Sequence, residues 1–225
     1  MAEDRYQRIY RCEAELYEAL VACEDCDGNL GPALAADRHG DVVEFGAGTG
    51  RLTRLLAPKA RSIRAFDASP AMLAVARRAL GPEVHLAAAL NPALPVRSGS
   101  ADLALAGWSF GHATGWNPDG WRGEIDRCLA EVRRVLRPGG RAVVIETLGT
   151  GRTEPAPPSS ILAEYYDLLE SAGFARTWIR TDYRFARRTE ADRLCRAFFG
   201  RNFPLDPDGS GWRLPECSGI WRLRV

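Results

Sequence analysis

The chain has 225 residues, with 30 basic and 29 acidic side chains and a formal net charge of +1. That balance lacks the basic excess a polyanion demands, so a nucleic-acid partner is not expected. The apolar share of 46% suffices for one compact α/β domain and leaves no long stretch of disordered composition.

The opening "MAEDRYQRIYRCEAELYEAL" is charged throughout and has no apolar signal core. No segment approaches ~18 consecutive apolar residues. The expectation is a cytoplasmic protein without membrane association, monomeric or homodimeric. Six cysteines stand at 12, 23, 26, 128, 195 and 217. Only Cys23 and Cys26 form a CxxC, with no second pair or histidine at ligand spacing, so free thiols and no metal are expected.

Residues 3–22 carry Ile9, Leu16, Leu20 and Val21 with Tyr6, Tyr10 and Tyr17 between them, spacing that predicts one amphipathic helix. A short helix follows around 32–38. "DVVEF" (41–45) reads as a buried strand, and "TGRLTRLLAP" as a helix stopped by Pro58. "SIRAF" (62–66) is a second strand. Ser69-Pro70 supplies an N-cap and a first helical proline for a helix to Leu80. "EVHLAA" (83–88) and "ADLALAG" (101–107) are strands three and four. "GEIDRCLAEVRRVL" (123–136) is a helix, and "RAVVIETL" (141–148) a fifth strand. Beyond it come a loop, a helix over 161–174, a sixth strand over 175–185, a helix over 189–199, a loop over 200–217 and a last strand over 218–225. Strands alternating with helices from 41 to 148 predict a parallel sheet with crossover helices.

Gly46, Gly48 and Gly50 lie between the first strand and its helix. Glycine there permits positive φ and lets backbone approach a ligand, and the helix start offers free N–H groups. The spacing is GxGxG. A dinucleotide loop wants glycine at 51, where Arg51 stands, which counts against a bound pyrophosphate. Asp67, just past the second strand, has the chemistry to accept both hydroxyls of a ribose. Glu44 sits in an otherwise apolar strand, where a carboxylate is costly unless paired. It is expected to hold the glycine loop by backbone N–H bonds or to meet a cationic ligand.

"VVEFGAGTGRLTRLL" followed by "IRAFDASPAMLAVARRAL" resembles the first two motifs of the class I S-adenosylmethionine-dependent methyltransferases, in their UbiE-like, small-molecule branch. "LPVRSGSADLALAGWSFGH" and "EVRRVLRPGGRAVVIE" are similar to the family's approach to strand four and its helix, turn and fifth strand. The resemblance covers about residues 40–148. It implies a Rossmann-like, doubly wound α/β fold with seven strands, mostly parallel, the last antiparallel. It implies S-adenosyl-L-methionine as cofactor. Gly46, Ala47 and Gly48 would line its methionine part, Glu44 would support that loop or meet the amino group, and Asp67 would hold the ribose, with Ala68 and Met72 against the adenine. Leu90 and Asn91 fall where the family presents an acidic loop to the adenine amino group; this chain has no Asp there. Ala106, Gly107 and Trp108 would end strand four near the methyl group. Residues 1–225 would form a single methyltransferase domain: a helical cap (1–38), a cofactor-binding core (39–148), and a part (149–225) completing the sheet and acceptor site.

Methyl transfer needs a base only when the acceptor carries a proton. His112, in "GWSFGHATGW" after strand four, is the candidate; a loop histidine packed on Trp116 is the other reading. His39 and His85 read as structural. Glu146 at the end of strand five faces the acceptor or caps the loop. Asp182 and Tyr183 line the acceptor pocket or are edge-strand polar residues. An aromatic of the first helix, Tyr17 among the candidates, would touch the sulfonium. Trp108, Trp116 and Trp121 build an acceptor pocket or local core. The acceptor is expected to be a small molecule or peptide, methylated on oxygen in preference to nitrogen by direct in-line displacement. Two alternatives stay open: a nicotinamide-dependent oxidoreductase, and a cofactor-binding pseudo-methyltransferase acting as a binding module.

Overall fold

A computed structural model of the protein describes residues 4–35 and 40–225. His39 lies outside these, as does the very start of the expected first helix. In chain order the elements are α1 (Arg5–Cys12), α2 (Ala14–Val21), α3 (Leu30–Ala35), β1 (Asp41–Phe45), α4 (Arg51–Leu56), β2 (Ser62–Asp67), α5 (Pro70–Ala79), β3 (Val84–Ala88) and β4 (Ala101–Gly107). A 3₁₀ turn (Phe110–His112) leads into α6 (Ala113–Trp116), then α7 (Trp121–Val135), β5 (Leu136–Thr150), α8 (Ser160–Ser171), β6 (Ala175–Arg180), β7 (Tyr183–Phe185), α9 (Arg188–Phe199), β8 (Asp206–Asp208), β9 (Gly211–Leu214) and β10 (Glu216–Arg224).

Seven strands form one sheet in the order β3-β2-β1-β4-β5-β10-β6. Pairings from β3 through β5 are parallel, and β10 runs antiparallel to both neighbours. The strand order reverses beside β1, between β1 and β4, which in such sheets opens a crevice at the carboxyl ends. Local chemistry sets the helix starts, at Ser69 as expected. Ser69 Oγ accepts from Met72 N at 3.2 Å with Pro70 first in α5, and Ser159 Oγ accepts from Leu162 N at 3.3 Å to start α8.

The period of two along each strand sorts the core into two layers. Val43 and Phe45 of β1, Ala104 and Ala106 of β4, and Ala142 and Val144 of β5 pack with Ile125, Leu129 and Tyr165 of α7 and α8. Val42, Leu103, Leu105, Val143 and Ile145 face the opposite layer with Leu34, Leu52 and Leu56 of α3 and α4. A third cluster lies at the carboxyl end of the sheet, where Leu20 of α2 meets Tyr183, Phe185, Leu194, Phe203 and Leu214.

Three segments differ from the sequence-based expectation. The first helix breaks at Glu13 (φ −124°, ψ 39°) into α1 and α2. The break brings Tyr10 and Tyr17 edge-to-face at 5.5 Å, and both pack over Met72 with Ala14 and Val75. The segment 175–185 is two strands in two sheets. Asp182 divides them: its buried carboxylate accepts from Arg180 Nε at 2.8 Å and from Glu216 N at 3.0 Å. The 200–217 stretch is more than loop, because β8 and β9 join β7 in a three-stranded sheet. No described helix is long and apolar enough to cross a membrane.

Candidate active site

The turn after β1 is built as glycine requires. Gly46, Gly48 and Gly50 have φ of 66°, 56° and 86°. A Cβ on Gly46 would fall 2.0 Å from Ser109 Oγ. At Gly48 it would meet only Tyr17, at 3.6 Å, so the loop backbone there faces the ring of the cap. Ala47 N donates to Phe66 O at 2.8 Å, tying the loop to β2.

Asp67 faces this loop. One carboxylate oxygen accepts from Gly48 N at 2.8 Å and the other from Ser69 N at 2.7 Å. Burial raises its pKa, against those two backbone bonds. Each oxygen retains a lone pair, so the carboxylate can still take two hydroxyls. Ala68 beside it is exposed, and Met72 is buried beneath the cap rings. Leu90 is 66% exposed, and Asn91 Nδ2 donates to Ser109 Oγ at 2.9 Å. Ser109 thereby joins the glycine turn to the loop after β3.

Glu44 does not reach the glycine loop. It shares a sheet face with Val42, so its carboxylate turns to α4 and accepts from Thr53 Oγ1 at 2.6 Å. Burial pushes it up to about 7. Ala106 packs among Phe45, Phe110 and Ile125, so its side chain serves the core and offers the crevice only backbone.

A cavity of about 640 Å³ opens beyond the ends of β4 and β5, roofed by the cap and by the small-sheet unit. Tyr10, Tyr17, Trp108, His112, Trp116 and Glu146 are among its walls. Trp108 holds φ at 48°, a strained value for a bulky residue, with its N–H on Ile145 O at 2.7 Å. His112 stacks on Trp116 (4.7 Å, 9°), and its Nε2 lies 3.1 Å from Tyr10 Oη. Burial drives its pKa down to about 4, against a backbone hydrogen bond to Trp108, so the ring is neutral at pH 7. Glu146 accepts from Gly111 N at 2.9 Å and from Tyr165 Oη at 3.2 Å, and burial pushes it up to about 7. Tyr183 lines the cavity; Asp182 is locked in its ion pairs. Trp121 belongs to the α7 core and His85 to β3.

In the sequence Arg51 shows only as a missing glycine. Its guanidinium lies 4.2 Å over Trp108 and pairs with the buried Glu24 at 2.7 Å, while Nη2 is buried without a hydrogen-bond partner. Glu216, from the start of β10, also lines the cavity. One of its oxygens accepts from Thr147 Oγ1 at 2.7 Å and the other has no partner; burial, then repulsion from Glu24, raises it to about 8. Its place in the last strand, 165 residues after Arg51, gave no local signal. The six cysteines are free thiols, and no metal-ligating cluster exists among the described residues.

A Rossmann-like sheet with a glycine turn after β1, an acid after β2 and a cavity over β4 and β5 is the architecture of class I methyltransferases. Residues 43–144 match the family described as "Methyltransferase domain". A demethylmenaquinone methyltransferase of Thermus thermophilus is 34% identical over 131 residues, covering 56% of this chain and 52% of that protein. A malonyl-[acyl-carrier protein] O-methyltransferase of Hahella chejuensis is 36% identical over 145 residues, covering 58% and 47%. The chain thus spans about half the length of these curated relatives. The crystal structure of a SAM-dependent methyltransferase from Aquifex aeolicus superposes with a TM-score of 0.60 at 15% identity, covering 99% of this chain and 100% of that one, a likeness of fold. Over residues 43–144 the chain is thus similar to S-adenosylmethionine-dependent methyltransferases in both sequence and fold.

Proposed function

We propose that the protein transfers the methyl group of S-adenosyl-L-methionine to an oxygen atom of a small or medium-sized acceptor, a small molecule or peptide, seated in the 640 Å³ cavity. The observation that carries this reading is the Cβ-free backbone of Gly46 and Gly48 opposite the Asp67 carboxylate, next to a cavity lined by Trp108 and His112. These residues fit an adenosyl cofactor: a loop without side chains, a carboxylate with lone pairs to spare, and a buried guanidinium nitrogen still without a partner.

Asp67 would hold the ribose hydroxyls. Gly46, Ala47 and Gly48 would lie along the methionine part, whose carboxylate Arg51 Nη2 would meet. Ala68, Leu90 and Asn91 would border the adenine, with Met72 packed behind. Glu44 acts through α4, holding Thr53 and so the helix that begins at the loop. Tyr17 and Trp108 would enclose the reacting centre. When bound, the cofactor supplies an electrophilic methyl on a sulfonium. The chain's task is to hold the acceptor atom in line at about 3–3.5 Å and to exclude water.

His112 is neutral at pH 7, and Nε2 already accepts a hydrogen bond in this geometry if Tyr10 is the donor. An acceptor hydroxyl replacing the Tyr10 phenol would give its proton to the same nitrogen, which supports oxygen over nitrogen as the acceptor atom. Isothermal titration with S-adenosylmethionine and S-adenosylhomocysteine, then labelled-methyl transfer to a panel of phenols, alcohols, carboxylates and amines, tests the reading. Absence of binding to both adenosyl compounds sinks it; transfer only to amines sinks the oxygen assignment.

A further inference from the structure

The cavity is electrically uneven. Inside, Arg51 is balanced by Glu24 at 2.7 Å. His112 is neutral, and burial keeps Glu146 and Glu216 from carrying full charges at pH 7. At the mouth, Arg152 and Arg201 line the cavity, are exposed, and have no ion pair among the described residues. Arg201 covers the Phe203 ring, and the Arg152 side chain lies against Gly149. The Arg201 guanidinium lies 4.5 Å over Phe203, and a Cβ on Gly151, just before Arg152, would fall 2.9 Å from Phe203 Cδ1. A third cation lies near Arg201: Arg5 packs against Gly200, where an added Cβ would meet Nη1 at 1.6 Å. Among the described residues Asp4 is an acid lining this mouth, and its Oδ1 accepts from the N–H groups of Tyr6, Gln7 and Trp116.

Between mouth and base runs a series of aromatic rings. His112 lies 6.3 Å from Tyr6, Tyr6 5.1 Å from Phe198, Phe198 4.9 Å from Phe199, and Phe199 5.3 Å from Phe203. Such a wall favours a flat apolar body and offers little to a charge. Arginines without an ion pair among the described residues, with Glu154 and Asp206 sharing only a neighbouring hollow with Arg152, suit a carboxylate or phosphate at its outer end, which planar guanidinium groups bind by charge-assisted hydrogen bonds.

Resting on the reading of this cavity as the acceptor site, we infer that the acceptor is an anionic amphiphile. Its apolar body lies along the rings, and a carboxylate or phosphate monoester is held at the mouth by Arg152 and Arg201, apart from the atom that takes the methyl. The anion is a handle, and these arginines are specificity residues rather than catalytic ones.

The test uses the full chain, with and without saturating S-adenosylhomocysteine, titrated calorimetrically at low salt with 2-naphthoate, 2-naphthyl phosphate and 2-naphthamide. The expected result is that at least one anion binds tenfold or more tighter than the amide, its identity separating carboxylate from phosphate. Arg152→Gln with Arg201→Gln should bring that anion to the affinity of the amide and leave the amide unchanged. Both side chains are exposed and unpaired, so the variant should fold, which its circular dichroism checks. Equal binding of the three probes, no binding of any, or a preference that survives the double substitution overturns the inference. S-adenosylhomocysteine affinity is read on the same samples. Its loss from the unsubstituted chain counts against the proposed function, whereas lost anion preference with that affinity intact counts only against the handle.

Discussion

Tyr10 of the cap and His112 of the loop after β4 meet at 3.1 Å, phenol oxygen to Nε2, across the roof of the cavity. The contact couples cap closure to the nitrogen that would take a proton from an acceptor. Tyr10 also offers its backbone oxygen to Ser69 Oγ at 2.5 Å, so one residue bridges the adenosine side and the acceptor side. His112→Ala is expected to lower turnover roughly 10²–10⁴-fold, the usual worth of a positioned base, while S-adenosylhomocysteine affinity stays within a factor of two or so of the parent on the same reasoning. Tyr10→Phe should keep most of the turnover, since the phenol yields its place to the acceptor. Single-turnover methyl transfer and calorimetry on both variants decide. Unchanged turnover in His112→Ala removes that residue from the chemistry.

The Asp67 carboxylate is the main adenosine contact in the proposed function. Asp67→Ala should weaken S-adenosylhomocysteine binding by about 1–3 kcal/mol, the cost of losing charge-assisted hydrogen bonds. It also frees Gly48 N and Ser69 N, so a small fall in Tm should accompany it. Calorimetric titration separates the two effects, because Asp67→Asn keeps an acceptor for one N–H and should recover Tm more than affinity.

The alternation over 41–148 was legible because apolar runs, glycine turns and Ser-Pro or Pro-Gly punctuation recur there at strand and helix lengths. The 200–217 stretch hid its strands because β8 and β9 have three and four residues and include Pro207 and Gly211, too short for a pattern of two to register. The division at Asp182 was hidden for another reason: it depends on Arg180, Arg213 and Glu216 converging on one carboxylate. The site divides in the same way. The glycine turn, Asp67 and His112 announce themselves locally. Arg51, Glu24 and Glu216 acquire meaning only when the fold brings three distant segments to one cavity. Glu44 was visible as an anomaly, but its partner Thr53 lies on the neighbouring helix, so its orientation needed the sheet face.

Gly46 and Gly48 share a left-handed backbone yet face different neighbours. Gly46→Ala drives a methyl to within 2.0 Å of Ser109 Oγ, so the hydroxyl must leave Asn91. Strain and displacement together should cost about 1–3 kcal/mol of stability. Gly48→Ala meets nothing nearer than 3.6 Å and should cost only about 1 kcal/mol, from its positive φ. Its methyl nevertheless projects over the proposed cofactor seat, so this milder variant should lose S-adenosylhomocysteine binding. Denaturant melts beside calorimetry test this. A Gly48→Ala protein that binds like the parent contradicts the seat assigned to the methionine part.

Arg51 and Glu24 form an ion pair whose side chains are 12% and 4% exposed. Arg51→Ala strands a buried carboxylate and should destabilise by about 3–5 kcal/mol. Replacing both, with Arg51→Met and Glu24→Gln, removes the stranded charge and should recover much of that loss. If Arg51 also meets the cofactor, the double variant regains stability without regaining cofactor affinity. Denaturant unfolding of Arg51→Ala and of the double variant, with parallel titrations, distinguishes a structural pair from a binding residue.

Glu146 makes stability depend on pH in a defined direction. Burial among Gly111, Tyr165 and the cavity wall raises its pKa from 4.5 to about 7, so the folded chain keeps this proton to higher pH than the unfolded chain does. The stabilisation linked to that proton is complete below pH 4.5. It declines as the unfolded carboxyl ionises and is lost once pH passes about 7. Glu146→Gln cannot ionise and escapes this decline. Each tenfold difference in proton affinity between folded and unfolded chains is worth ~1.4 kcal/mol. The variant's stability relative to the parent should therefore improve by up to about 3 kcal/mol as pH rises from 4.5 to about 7.5. His112 opposes this trend in both proteins alike, since its depressed pKa removes stability as pH falls from 6.5 toward 4. The quantity to measure is thus the difference between the two denaturation midpoints across pH. A difference that stays constant over that same pH range shows that Glu146 titrates as an ordinary carboxylate, and with that goes the case for a largely uncharged cavity interior.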